Sequence, residues 1–97
     1  MNYQLTTQET QNAQERYHNT MRDLIARQWN LEAARDKASF ELKDLAKERG
    51  RMGLTPDAVK ASAEWRVKRE AFQRAHGALR AFNAKYAKAI NDYLRAL

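Results

Sequence analysis

Apolar residues recur three and four positions apart along two stretches of the chain, one on each side of a single break. The first series is Tyr17, Met21, Leu24, Gln28, Leu31, Arg35, Ala38, Leu42 and Leu45, alternating four and three as along the seam of a coiled-coil helix. In the second, Trp65, Phe72, Leu79, Tyr86 and Tyr93 stand seven apart, with Ala75, Phe82, Ile90 and Leu97 filling the same line. Both patterns predict helices that are apolar along one side.

The ends of these helices are marked. Thr6-Thr7-Gln8-Glu9 fits a capping box, in which Thr6 accepts from an early backbone N–H and Glu9 reaches back to the cap. Nothing breaks a helix from there to Arg49, which predicts helix one over about 7–49 with a length of ~64 Å. The turn follows over 50–55, with Gly50 as the residue able to take the left-handed conformation that ends a helix. Thr55 suits an N-cap, Pro56 a first helical position, and Asp57 the positive end of the helix dipole. Helix two then runs unbroken over about 56–97.

Two long helices joined by a short turn make an all-α, antiparallel, coiled-coil-like hairpin, a single domain over 1–97. Folding about residue 53 places Leu24 opposite Leu79 and Phe82, Leu31 opposite Phe72 and Ala75, Leu42 opposite Trp65, and Arg35 beside Glu70. Gln28, Arg35 and Lys68 are polar seam positions of the kind that fix register at some cost in stability. Gly77, in mid-helix, is a tolerated glycine.

Composition agrees with this reading. Gly occurs 3 times, Pro once and Ala 17 times in 97 residues, which favours long helices over sheet. Two helices bury less surface than a compact globule of equal mass, so a partner is expected. That partner is either a different protein or a second copy, the latter completing a four-helix bundle as a homodimer. With no Cys, disulfides and thiolate metal sites are excluded. No run approaches the ~18 apolar residues of a membrane span, and nothing resembles a secretory leader, so the expected location is cytoplasmic.

Charge changes the picture more. The formal net charge is +6, and all of it lies in the second half. Residues 1–49 hold eight Lys or Arg and eight Asp or Glu, whereas residues 50–97 hold ten and four. With Leu79 at the seam, Arg66, Arg69, Arg74, Arg80, Lys85, Lys88 and Arg95 fall on the outer arc of helix two as one cationic strip. Such a strip contacts nucleic-acid phosphates by counterion release without reading sequence; its bland alternative is a solvated, solubilising face.

Candidates for catalysis are few. His18 and His76 do not converge in the expected register, since position 76 faces about position 29. No Gly-rich phosphate loop, Ser/His/Asp set or ligand-spaced carboxylate pair is present. A two-helix hairpin also offers no concave site by itself. The expectation is a non-enzyme with no metal and no cofactor. Ile25, Trp29 and Phe40 lie well away from Leu24 around helix one and form a candidate partner-binding patch, with core packing in a bundle as the alternative. Thr55-Pro56 sits at the only hinge, where X-Pro isomerisation could redirect helix two, although a trans Pro at a first helical position is ordinary.

In size, helical content and the lone Thr55-Pro56 turn, the chain loosely resembles the anti-RecBCD proteins of bacteriophages. These are small proteins that bind the host RecBCD helicase-nuclease and modify its action on phage DNA. The resemblance implies a phage-type protein that binds and modulates, or inhibits, a host DNA-processing complex, anchored by Ile25, Trp29 and Phe40. It departs from nuclease inhibitors that mimic DNA, because those are acidic and this chain is basic. The resemblance therefore implies docking on a protein surface beside DNA rather than imitation of the duplex. Two readings of the residues stand beside it: a sequence-independent nucleic-acid-binding protein using the strip alone, and a structural coiled-coil scaffold.

Overall fold

Thr6 starts the first helix as the sequence predicts. Its hydroxyl accepts from the Glu9 backbone N–H at 3.1 Å, and the Glu9 carboxylate accepts from the Thr6 N–H at 3.4 Å. In the computed structural model, which describes residues 6–97, α1 runs Thr7–Arg51, α2 Pro56–Ala61 and α3 Ala63–Arg95. The two long helices lie antiparallel in a rod of 76 × 22 × 18 Å. Among the described residues there is no strand, and no helix is long and apolar enough to cross a membrane.

The end of α1 departs from expectation. The left-handed residue is Gly53, with φ +89°, rather than Gly50, which stays helical. Leu54 N–H donates to the Arg49 carbonyl at 3.1 Å and Gly53 N–H to the Gly50 carbonyl at 3.0 Å, the paired bonds of a Schellman cap. The physical reason is visible in the following residue. A cap at Gly53 puts Leu54 where the motif takes an apolar side chain, whereas a cap at Gly50 would put Arg51 there.

The second half is also not one helix. Thr55 caps α2 as predicted, accepting from the Ala58 N–H at 3.2 Å, and the Thr55–Pro56 bond is trans. Ser62 then takes extended backbone (φ −73°, ψ 147°) and interrupts the helix. Its hydroxyl donates to the Val59 carbonyl at 2.6 Å and accepts from the Trp65 N–H at 3.2 Å. One serine thereby closes α2 and caps α3, which is the competition that side-chain hydroxyls offer to a helical backbone.

These two changes shift the register. Gln28 Nε2 donates to Asn83 Oδ1 at 2.9 Å, Lys68 pairs with Glu41 at 3.3 Å, and Arg49 pairs with Glu64. Each α1 residue therefore meets α3 more than one helical turn beyond the expected position, because the α1 extension and α2 consume chain before α3 begins. Arg35 does not meet Glu70; it pairs with its neighbour Asp36 at 2.9 Å. Trp65 shares a cavity with Ala46 and Gly50 rather than packing opposite Leu42. Leu97, expected on the seam, lies beyond the end of α3 and is exposed.

Met21, Ile90 and Tyr93 form the buried core at the open end of the hairpin, with Leu24, Ile25, Phe82 and Tyr86 packed around it. His18 Nδ1 and the Tyr93 hydroxyl lie 2.9 Å apart, and Tyr17 meets the Tyr93 ring edge-on at 5.7 Å. Covered positions of α1 recur every seven residues, as at Met21, Gln28, Arg35, Leu42 and Arg49. On α3 the Trp65–Tyr93 line keeps its seven-residue spacing, but the flanking line drifts: Lys68, Leu79 and Ile90 are covered at intervals of eleven, while Ala89 is exposed. An eleven-residue recurrence lies close to the period of a straight helix.

Candidate functional site

Inward-facing positions of both long helices are spent on the hairpin, so the outer faces remain. On α3, Arg66, Arg69, Arg74, Arg80, Lys85, Lys88 and Arg95 are all exposed, as the sequence predicts. At 1.5 Å per residue the strip extends ~44 Å along the rod. Among the described residues, none of the seven forms an ion pair. Two lean on rings instead: the Arg69 guanidinium lies 5.6 Å from the Trp65 ring centroid, and Lys85 Nζ 5.2 Å from that of Tyr86. Glu70 and Asp92 are the acidic residues on the same arc.

The outer face of α1 has a different character. Acidic and basic side chains alternate along it, as in Asp36-Lys37 and Lys43-Asp44. Trp29 and Phe40 stand out from it at 67% and 69% exposure. Eleven residues apart, they point to one side of the helix. Ile25 does not join them. It follows Met21 by one turn and packs against the Met21–Ile90–Tyr93 core, so the predicted three-residue patch is reduced to two rings. Ile25 lies at a wide angle from Leu24, yet its four-residue spacing from Met21 sets it above that buried side chain. Phe40 borders a shallow groove of about 210 Å³ with Glu41, Asp44, Leu45, Glu48 and Lys68.

A feature the sequence reading missed lies at the turn end. Trp65, assigned to the hairpin core, is only half-buried and lines a cavity of about 150 Å³ with Ala46, Gly50, Leu54, Pro56, Val59 and Lys60. Lys60 and Trp65 also border a neighbouring polar trough of about 430 Å³, whose other walls are Arg66, Arg69, Glu70 and Gln73. The signal available was Ser62: once it is seen as a cap, the chain must bend there and hold Trp65 away from a tight seam. Beside this end, Arg49 pairs with Glu64, whose hydrogen-bonded carboxylate holds the guanidinium pKa above its ordinary value.

The two histidines are separate, as expected. His18 is engaged with Tyr93, and His76 stacks on Phe72 with centroids 5.6 Å apart and an interplanar angle of 14°. Among the described residues no group of His, Asp or Glu side chains is placed to hold a metal ion. Compared with known proteins, the chain matches no family model, no curated protein and no solved structure.

Proposed function

We propose that this chain is a non-catalytic binding rod that lays the outer face of α3 along nucleic-acid phosphates without reading sequence. The observation that carries this reading is the division of charge between two parallel surfaces. Among the described residues the seven cations on the outer face of α3 are exposed and without ion pairs, Lys68 on its inner side being the one α3 cation that pairs, while those on the outer face of α1 alternate with carboxylates. A solubilising coat has no reason to collect on one helix. A straight rod meets the winding backbone of a duplex only where the strands cross its path, so fewer than seven phosphates are engaged. Three to five contacts would give a log–log salt slope between about −2.7 and −4.5. Fluorescence anisotropy of a labelled duplex across a salt series checks this. Failure to bind at low salt would remove the reading.

A second reading is favoured by Trp29 and Phe40. Two large rings exposed on the helix that lacks the strip supply anchors for a protein, so one rod would hold a protein on α1 and a polyanion on α3. A host DNA-processing complex such as the RecBCD helicase-nuclease, named by the bacteriophage resemblance, would offer a protein surface and bound DNA together. The chain leaves 7872 Å² accessible, against about 5,700 Å² for a compact folded protein of 11.3 kDa. That excess is consistent with covering by a partner, either such a complex or a second copy. Affinity purification from bacterial lysate, with and without nuclease, separates the outcomes. A stable protein retained after nuclease treatment supports the modulator; recovery of the chain alone supports a self-associating scaffold.

A further inference from the structure

The turn end combines two features that the strip alone does not. The cavity beside Trp65 is about 150 Å³, with Leu54, Pro56 and Val59 among its apolar walls. An apolar cavity of that size accommodates one benzene-sized ring. The adjoining trough shares Lys60 and Trp65 with it and adds Arg66 and Arg69, with Glu70 as the one opposing charge. An apolar ring seat and three cations therefore meet along one edge. Proteins that bind single strands use this pairing, an aromatic side chain for the base and cations for the backbone.

We propose that the turn end of the rod seats an unpaired pyrimidine, its ring in the cavity against Trp65 and its flanking phosphates on Lys60, Arg66 and Arg69. At about 150 Å³ the cavity has room for a single six-membered ring, and the second ring of a purine would extend out through its open side. The three cations favour a nucleotide over an apolar side chain, which would fill the cavity but leave them unused. This inference rests on the reading of α3 as a phosphate-binding surface and adds to it a preference for single-stranded ends. The Arg69 guanidinium lies over the Trp65 ring, 5.6 Å from its centroid, so one of the three cations stands beside the ring seat. Gly50 offers a way to close the seat, because it lines the cavity and a Cβ there meets nothing within 4 Å.

The test uses the full chain carrying Trp29→Phe, so that of its 2 tryptophans only Trp65 reports. A blunt duplex, the same duplex with a thymidine overhang, an oligothymidylate and an oligodeoxyadenylate are titrated in turn. The overhang should bind roughly tenfold tighter than the blunt end and quench Trp65, and thymidine should be preferred to adenosine. Gly50→Leu should abolish the overhang advantage and the quenching while leaving blunt-duplex affinity unchanged. Should circular dichroism show that Gly50→Leu is misfolded, the exposed Lys60→Ala serves instead and should reduce the overhang advantage. Equal, unquenched binding of overhang and blunt duplex overturns the inference and leaves the phosphate strip standing. No binding to any of the four overturns both. Displacement of the overhang by an acidic peptide bearing an aromatic residue, at lower concentration than oligothymidylate, would assign the seat to a protein side chain and overturn it as well.

Discussion

The two long helices are alike on the inside and unlike on the outside. Inside, α1 supplies Met21, Leu24 and Ile25, and α3 supplies Phe82, Tyr86, Ile90 and Tyr93, to one shared core. Outside, α1 intersperses charges of both signs around two exposed rings, whereas α3 displays seven cations without ion pairs among the described residues. The inner pattern follows from the need to fold, because two amphipathic helices must cover each other's apolar lines. The outer pattern has no such requirement. Selection for folding alone does not gather positive charge on one helix, and this asymmetry is what points to a binding surface.

Substitutions should respect that division. The largest effect belongs to the shared core: Ile90, 1% exposed, should lose about 3 kcal/mol of stability as Ile90→Ala, read by urea unfolding. A loss under about 1 kcal/mol would mean that the open end does not hold the rod together. On α1, Ile25→Ala should remove roughly 1–2 kcal/mol because its side chain touches the core. Trp29→Ala, on the outer side of the same helix, should change stability by no more than about 0.5 kcal/mol. Equal losses at 25 and 29 would erase the inner–outer distinction on α1.

Glycines give smaller, opposite-signed tests. Gly77→Ala should raise stability by about 0.5–1 kcal/mol, because position 77 is helical, exposed and open to a Cβ. Gly53→Ala should lower it by about 1 kcal/mol, since φ there is +89°. Thermal unfolding of the pair decides whether the α1 cap or the α3 interior is the strained glycine position. Smallest of all, Lys68→Met should change stability by under about 0.5 kcal/mol, because the Glu41–Lys68 pair is partly exposed and screened.

Much of the fold was legible because its signals are local. Thr6 with Glu9, Thr55 with Pro56, and the apolar lines each depend on a few neighbouring residues, and the structure bears out all three. Register was not legible in the same way. It depends on how many residues the reversal consumes, and that was decided by Leu54 favouring a cap at Gly53 and by the Ser62 hydroxyl. Both signals are present in the sequence, but each competes with an equally plausible neighbour, Gly50 in one case and an uninterrupted α2–α3 helix in the other. The cationic strip was readable from periodicity alone, since outer positions do not depend on register. The Trp65 cavity was hidden because it exists only once the bend at Ser62 is placed.

The most direct measurement compares matched charge reversals on the two outer faces. One variant carries Arg74→Glu, Arg80→Glu and Lys88→Glu on α3; the other carries Arg22→Glu, Lys37→Glu and Lys43→Glu on α1, and all six parent residues are exposed. Both change the net charge by the same amount. Duplex affinity at a fixed low salt concentration should fall roughly a hundredfold for the α3 variant and only a few-fold for the α1 variant, with a shallower salt slope for the α3 variant alone. Equal losses in the two variants would show that net charge, and not the outer face of α3, carries the binding.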